Sequence, residues 1–213
     1  MSDPSTGTDL ALDRLVSVVD DALAGLAEHR EHLRDLDAAV GDGDLGITID
    51  KGSQAVRVAL AAAPPDSVSA LLRSAGAAFA KANPSTMAAL VGAGLLAAAK
   101  AVEGETTWSS TVAEAVGRAA ATKVADRGKA EPGDKTVLDA VWPSLDALRD
   151  APVGQGLAAM VDAAQSGLDA TTGRGGRRGR AAWVGERGAG HPDPGATAYV
   201  LLLQELRRAT QQA

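Results

Sequence analysis

Three aspartates lie close together in the run Asp37-Ala-Ala-Val-Gly-Asp42-Gly-Asp44. Carboxylates this close repel one another and raise each other's pKa unless a cation binds them. Oxygen-only ligands suit Mg²⁺ or Ca²⁺, and the adjacent glycines allow a turn tight enough to point Asp42 and Asp44 at one place. An EF-hand is a poor fit, because the position that needs glutamate, counted from Asp42, is Ser53.

Mg²⁺ commonly lies between a few carboxylates and the phosphates of a substrate, which makes a nucleotide the natural co-ligand of this acidic run. The alternative is a solvated turn in which Asp44 only caps the helix that follows. There is no Walker A sequence, so the P-loop mode of ATP binding is excluded.

Three predicted helix starts offer seats for phosphate, since a helix N-terminus has unpaired N–H groups and partial positive charge. The starts are Leu45-Gly46-Ile47-Thr48, Pro84-Ser85-Thr86 and Asp193-Pro194-Gly195. Each alone is also compatible with an ordinary cap. The number of helices between them places all three at one end of an up-down bundle, so together they favour a phosphate site beside the aspartates.

Two polar segments near the C-terminus are candidates for function. In the turn before the sixth predicted helix, Asp134 is expected to cap that helix with Lys135 outside. Residues 173–192 read as a long loop and carry an arginine cluster in a chain of net charge -6. This cluster is either counter-charge for phosphates, a dock for an acidic partner, or simply solvated. Its members are Arg174, Arg177, Arg178, Arg180 and Arg187.

The composition excludes several classes of protein. A net charge of -6 argues against a general binder of nucleic acid or of anionic membranes. The absence of cysteine excludes thiol catalysis and thiolate metal sites. No run approaches the roughly 18 apolar residues of a membrane span, and the first residues carry no signal-peptide pattern. We therefore expect a soluble, cytoplasmic protein.

The elements that must position these residues are predicted to be helices. Hydrophobic residues make up 46% of the chain but aromatic residues only 2%, with Ala and Leu dominant, which favours an all-α fold. We predict a flexible N-terminus over 1–8 and one domain over 9–213, built as an eight-helix up-down antiparallel bundle. Apolar spacing and Pro or Gly stops place the helices at about 8–31, 44–63, 67–82, 85–102, 112–128, 134–149, 153–171 and from 193.

Three stretches of the chain resemble the signatures of the DhaL family, the nucleotide-binding subunit of dihydroxyacetone kinase. They are 37–44, Gly128-Lys-Ala-Glu-Pro-Gly-Asp-Lys-Thr136, and the glycine-rich run from Gly179 to Thr197. They occur in the family's order and span nearly the whole chain. The resemblance implies an eight-helix antiparallel barrel with the nucleotide at one end, in agreement with the helix count.

The resemblance also implies site residues, cofactors and partners. Asp37, Asp42 and Asp44 would hold two Mg²⁺ ions that bridge the phosphates of ADP or ATP, and Arg180 would neutralise phosphate charge. The sugar would bind a separate DhaK-like subunit, and in some members a DhaM-like phosphotransferase subunit recharges the ADP. A homodimer is a further possibility for the assembly. The implied nucleotide contacts are Leu45, Gly46, Ile47, Thr48, Ser85, Thr86, Gly128, Val137, Arg180, Asp193, Pro194 and Gly195.

The chain departs from the family's pattern at the acidic end. Many members carry His in place of Leu45, Asn in place of Thr48, and a Ser-Gly-Pro-Leu-Tyr-Gly-like run where this chain reads Ser85-Thr-Met-Ala-Ala-Leu90. The departures bear on the partner's sugar, for which a four-carbon ketose is an alternative to dihydroxyacetone. Two other hypotheses stay open: a Mg·ADP-binding module that signals to a transcription regulator, and a metal-binding helical protein without nucleotide.

Overall fold

The computed structural model describes residues 9–176 and 189–212. Within these residues the chain forms nine helices and one pair of two-residue strands, which confirms the all-α prediction. The strands are β1 (Leu10–Ala11) and β2 (Thr107–Trp108). The helices are α1 (Leu12–Glu28), α2 (Arg30–Val40), α3 (Leu45–Ala62), α4 (Val68–Ala82), α5 (Thr86–Ala101), α6 (Ser110–Gly128), α7 (Leu138–Asp150), α8 (Gly156–Thr172) and α9 (Pro194–Gln212).

The first predicted helix was wrong in its C-terminal bound, because the chain turns at His29 and continues as a separate helix. On α1 the buried stripe includes Leu15, Val18 and Leu26. On α2 only Leu33 and Val40 are buried, so there is no apolar stripe from which to predict this helix. The consequence for function is that Asp37 lies on a helix, whereas Asp42 and Asp44 lie in the connection after it.

Successive helices from α3 onward pack against their neighbours in antiparallel fashion, as the short connections predict. One end of the bundle, which we call the acidic end, therefore collects the connections 41–44, 83–85 and 129–137, the C-terminus of α8 and the N-terminus of α9. The final helix runs back along α1, with Glu205 beside His29 and Arg208 beside Asp21. The starts of α3, α5 and α9 thus share the acidic end.

The opposite end is closed by contacts between connections. Leu10 of β1 pairs with Trp108 of β2 in antiparallel register. The backbone N–H of Val68, at the start of α4, donates to the carbonyl oxygen of Glu105 over 2.9 Å. Two-residue strands of this kind carry no alternating apolar pattern, so the sequence did not predict them.

The main hydrophobic core lies between the N-terminal helices and α3 to α6. Its fully enclosed side chains include Leu33 of α2 and Val68 of α4. A second cluster joins α7, α8 and α9 around Val161, Leu168 and Leu203. Among the described helices, none is both long enough and apolar enough to cross a bilayer.

Candidate functional site

Among the described residues, one cluster of three carboxylates is compact enough to hold a metal ion. It lies at the acidic end and consists of Asp37, Asp42 and Asp44. Each offers a carboxylate oxygen, and these oxygens all lie within 4.8 Å of one another. Asp42 is exposed, and Asp37 and Asp44 are half-buried. A donor set of three carboxylates open to solvent on one side suits a hard divalent cation that also coordinates a ligand from outside. The residues present therefore fit Mg²⁺.

Two glycines allow this arrangement. Gly43 has a φ of 74°, in the left-handed region that favours glycine, and this turns the chain between Asp42 and Asp44. A Cβ atom on Gly46 would collide with the backbone carbonyl oxygen of Arg30. Glycine at this position thus lets the start of α3 pack directly on α2, the helix that carries Asp37.

Asp37 links the cluster of three aspartates to the start of α3. Its carboxylate accepts a hydrogen bond of 3.2 Å from the backbone N–H of Leu45, the first residue of that helix. Burial raises the pKa of Asp37, and the charges of Asp42 and Asp44 add to the rise, whereas the hydrogen bonds from the backbone N–H groups of Leu45 and Asp44 oppose it. A cation would relieve this repulsion.

Asp44 precedes α3 at the capping position, but its side chain accepts no capping hydrogen bond. The alternative in which Asp44 serves only as an N-cap is therefore not supported. Asp37, which lies on the neighbouring helix α2, instead accepts the N–H of Leu45 at the start of α3. The Asp44 carboxylate belongs to the cluster of three aspartates.

The four residues Leu45 to Thr48 differ in what they expose. The Leu45 side chain is only 6% exposed and belongs to the main core, so the group it offers at the site is its backbone. Thr48 is also buried, and its hydroxyl oxygen accepts a hydrogen bond of 2.8 Å from the Asn83 side chain. Gly46 is buried and Ile47 half-buried. The side chains of Leu45, Ile47 and Thr48 therefore pack and align the helix start, and Gly46 lets that start lie directly against α2.

The start of α5 lies beside the start of α3, as the parity of the helices predicted. Asn83, in the connection before α5, makes the side-chain contact to Thr48. Ser85 caps α5, its hydroxyl accepting a hydrogen bond of 3.1 Å from the N–H of Ala88, and Thr86 is exposed at the first helical position. Two helix N-termini thus point to the end that holds the three aspartates.

A second polar cluster at the acidic end joins the α6–α7 connection to the termini of α8 and α9. The expectation that Asp134 caps α7 with Lys135 outside was wrong. Asp139, inside the first turn of α7, accepts hydrogen bonds from the backbone N–H groups of Gly133 and Thr136. Asp134 instead accepts from the N–H of Glu131, within its own turn.

Lys135 is 3% exposed, and its ammonium group donates to the carbonyl oxygens of Thr172 and Arg174, at distances of 3.2 and 2.7 Å. These carbonyls lie at the C-terminus of α8, where carbonyl groups lack partners within the helix. Burial lowers the pKa of Lys135, and the charge of Asp193 opposes that change.

Asp193 caps α9, as predicted, because its carboxylate accepts a hydrogen bond of 2.7 Å from the N–H of Ala196. Burial raises the pKa of Asp193 to about 6, and Asp139 adds to the rise, while the Ala196 N–H and the Lys135 charge oppose it. The start of α9 also approaches Val137, whose Cβ lies 3.7 Å from the point where a Cβ on Gly195 would be.

The predicted nucleotide contacts in this second cluster therefore lie on neighbouring elements. Val137, Asp193, Pro194 and Gly195 come together at the starts of α7 and α9, and Gly128 is the last residue of α6. Arg180, predicted to neutralise phosphate charge, lies outside the described residues.

Sequence reasoning missed the partners that hold the two clusters in place: Asn83, Lys135 as a buried group, and Asp139. A signal existed for Asp139, since an aspartate in the first turn of a helix is favoured by the helix dipole. None existed for the pairing of Asn83 with Thr48, which joins residues far apart in the chain.

Comparison with known proteins identifies the family. The protein-family model of the DAK2 domain matches residues 39–208 of the sequence. The ADP-binding subunit DhaL of the PEP-dependent dihydroxyacetone kinase of Escherichia coli K12 is 32% identical over 187 residues, which cover 85% of this chain and 89% of that protein. The D-erythrulose kinase of Mycolicibacterium smegmatis is 38% identical over 88% of this chain, but this chain spans only 34% of its length.

The fold agrees with these relatives. The crystal structure of the dihydroxyacetone kinase from C. freundii, in complex with AMP-PNP and Mg²⁺, superposes with a TM-score of 0.75 at 25% identity. The superposition covers 98% of this chain and 36% of that kinase chain, so the present chain corresponds to about a third of it. The extended match to the family model, the length shared with DhaL and the helical architecture agree, and the chain belongs to the DAK2 domain family as a DhaL-type member.

Proposed function

We propose that this chain is the nucleotide-binding subunit of a dihydroxyacetone-type kinase. It binds Mg·ATP, or ADP recharged by a DhaM-like phosphotransferase subunit, and serves the transfer of a phosphoryl group to a short ketose held by a DhaK-like partner. The observation that carries the proposal is the convergence of three carboxylate oxygens within 4.8 Å at the end where the starts of α3, α5 and α9 meet.

Phosphoryl transfer depends on positioning and on neutralising charge more than on covalent chemistry. Asp37, Asp42 and Asp44 would hold Mg²⁺, two ions in the form implied by the family resemblance, and the metal neutralises the phosphates when bound. The starts of α3 and α5 would offer backbone N–H groups to phosphate oxygens. The N–H groups of Leu45 and Thr48 are excepted, because they donate to the Asp37 carboxylate and the Asp44 carbonyl oxygen.

The remaining proposed contacts follow the second cluster. Gly128 and Val137 flank the α6–α7 connection, and Asp193, Pro194 and Gly195 open α9, so these residues would border the nucleoside part of the ligand. Arg180 would add positive charge at the transferred phosphoryl group. The relatives named as binding ADP, or solved with AMP-PNP and Mg²⁺, support this assignment of ligand.

The test of the proposal is Asp42→Ala. Wild-type protein should melt at a higher temperature with Mg·ADP, because a ligand of the native state stabilises that state. Asp42→Ala should lose this increment and, mixed with a DhaK-like partner, should transfer phosphate at least about tenfold more slowly, since even groups that only support a metal ligand contribute about 10- to 100-fold.

The matched control is Asp162→Ala, which removes an exposed aspartate on α8 close to the opposite end of the bundle. This variant should keep both the Mg·ADP increment and the kinase activity. Undiminished activity of Asp42→Ala would contradict the metal assignment. A melting temperature of the wild-type protein that does not rise with Mg·ADP would contradict nucleotide binding.

A second acceptor is favoured by one observation. The relative named D-erythrulose kinase is 38% identical to this chain, against 32% for the DhaL subunit of E. coli. We therefore include four-carbon ketoses beside dihydroxyacetone in the proposal. Assays with D-erythrulose, L-erythrulose and dihydroxyacetone, run with the same partner subunit, distinguish them by kcat/KM.

A further inference from the structure

Lys135 occupies an unusual place for a lysine. The other lysines of the chain, all within the described residues, are exposed, whereas Lys135 is 3% exposed. Its backbone has a φ of 62°, which is uncommon for a residue other than glycine. A sparsely populated conformation persists only where surrounding contacts hold it, and such conformations cluster at functional sites.

The ammonium group of Lys135 binds the C-terminus of α8. It donates to the carbonyl oxygen of Thr172, the last residue of that helix, and to that of Arg174 just beyond it. Because the C-terminus of a helix carries partial negative charge, a buried cation is favoured at this position. The carbonyl oxygen of Thr172 also accepts a hydrogen bond of 2.9 Å from the N–H of Gly190.

The same group acts on the entry to α9. The charge of Asp193, the residue that caps α9, favours the charged form of Lys135, and Lys135 in turn favours the charged form of Asp193. Among the described residues, the charge of Asp139 also acts on Asp193, and it does so in the opposite sense. The geometric link is the carbonyl oxygen of Thr172, which accepts both from Lys135 and from the N–H of Gly190 in the segment that leads into α9.

From this geometry we infer that Lys135 is a positioning residue for nucleotide binding: it fixes the C-terminus of α8 and the N-terminus of α9 to the α6–α7 connection, at the end that holds the three aspartates. The inference rests on the proposed function, because it concerns the placement of Asp193, Pro194 and Gly195 as nucleotide contacts. Lys135 acts through these residues and does not itself contact the ligand.

The test compares Lys135→Met, which keeps the length of the side chain and removes its charge, with Lys129→Met. Lys129 lies in the same connection, also has a positive φ of 50°, and is exposed. Hydrogen exchange of peptides covering 189–197 and calorimetric titration with Mg·ADP are measured on the full chain. Mn²⁺ alone is titrated to report on the aspartate cluster.

Lys135→Met should accelerate exchange in 189–197 and weaken Mg·ADP binding, each by about tenfold or more, as expected when hydrogen bonds to a charged group are lost. Its affinity for Mn²⁺ alone should stay unchanged, which a general loss of structure would not allow. Lys129→Met should match wild type in all three measurements. Unchanged exchange in 189–197, or Mg·ADP affinity equal to wild type, would overturn the inference.

A further variant separates charge from packing. Lys135→Arg keeps a cation at the carbonyl end of α8 and should bind Mg·ADP more tightly than Lys135→Met; equal weakening in the two would assign the effect to packing and overturn the inference. If Lys135→Met does not fold, Lys135→Gln carries the same expectations. If wild type itself binds no Mg·ADP, the proposed function fails, and the exchange of 189–197 still decides whether Lys135 fixes the two helix ends.

Discussion

At the scale of single residues, Asp37 is placed where its charge is unfavourable without a metal. Its pKa is raised by burial and by the charges of Asp42 and Asp44. A carboxyl group whose folded-state pKa lies above its unfolded value contributes stability that is complete at acid pH and is lost as the pH rises through the folded-state pKa. In the metal-free protein, ionised Asp37 therefore destabilises the fold at neutral pH.

Asp37→Asn tests this balance. An amide oxygen can still accept the N–H of Leu45, so the contact at the start of α3 is kept. We expect the melting temperature of the metal-free variant to exceed that of wild type at about pH 7.5, and the difference to shrink towards about pH 4 as the wild-type carboxyl group is protonated.

The same variant should lose metal binding, with affinity for Mg·ADP reduced at least about tenfold. Asp162→Ala serves again as the control, and neither of these effects is expected from it. A metal-free Asp37→Asn protein that is less stable than wild type at neutral pH would show that the carboxylate supports the fold and would contradict the account of its raised pKa.

The residues that the sequence predicted and those it missed differ in a physical way. The three aspartates lie within one short run, so their spacing alone indicates a common ligand. Lys135 reads as one polar residue in a polar turn, and its burial arises only when the end of α8 packs onto that turn. Leu45 is the reverse case: the residue was predicted as a contact, and the structure buries its side chain in the core.

At the scale of elements, helix bounds were predictable where stop signals flank an apolar stripe. Pro64-Pro65 and Asn83-Pro84 bracket α4, and the predicted range of 67–82 differs by one residue from the observed Val68–Ala82. The short helix α2 was missed because only Leu33 and Val40 are buried on it. This mattered for the site, since α2 is the element that carries Asp37 across the start of α3.

The alignment of α3 with the connection before α5 depends on the hydrogen bond from the Asn83 side chain to the Thr48 hydroxyl. Thr48 is 1% exposed, so its hydroxyl has little access to water if Asn83 is removed. We expect Asn83→Ala to lower the free energy of unfolding by about 1–3 kcal/mol, the typical effect of leaving a buried polar group unsatisfied. Chemical denaturation measures this change.

Asn83→Ala should weaken Mg·ADP binding as well as lower stability. Because the hydrogen bond that fixes the start of α3 relative to the start of α5 is lost, Mg·ADP affinity should fall several-fold. Ser67→Ala is the matched control: it removes the hydroxyl that caps α4 at the opposite end, should lower stability by about 1 kcal/mol, and should leave Mg·ADP affinity unchanged. Equal affinities of the two variants would show that the Asn83 contact has only a structural role.

At the scale of the whole molecule, the chain corresponds to nearly all of one relative and to about a third of two others. It covers 89% of a separate DhaL subunit, but 36% of the C. freundii kinase chain and 34% of the D-erythrulose kinase. Under the proposed function, the aspartates and helix starts at the acidic end would hold a nucleotide and its metal, and the acceptor sugar would require a second polypeptide or domain.

This division predicts separable activities. Alone, the chain should bind Mg·ADP but phosphorylate neither dihydroxyacetone nor erythrulose, and a DhaK-like partner should restore transfer to at least one of them. Native mass spectrometry of the purified protein adds the second measurement, because ADP and Mg²⁺ that remain bound through purification would favour a subunit whose nucleotide is recharged in place over one that exchanges ATP freely. Ketose phosphorylation by the isolated chain would contradict the division, since the acceptor site would then have to lie within these 213 residues.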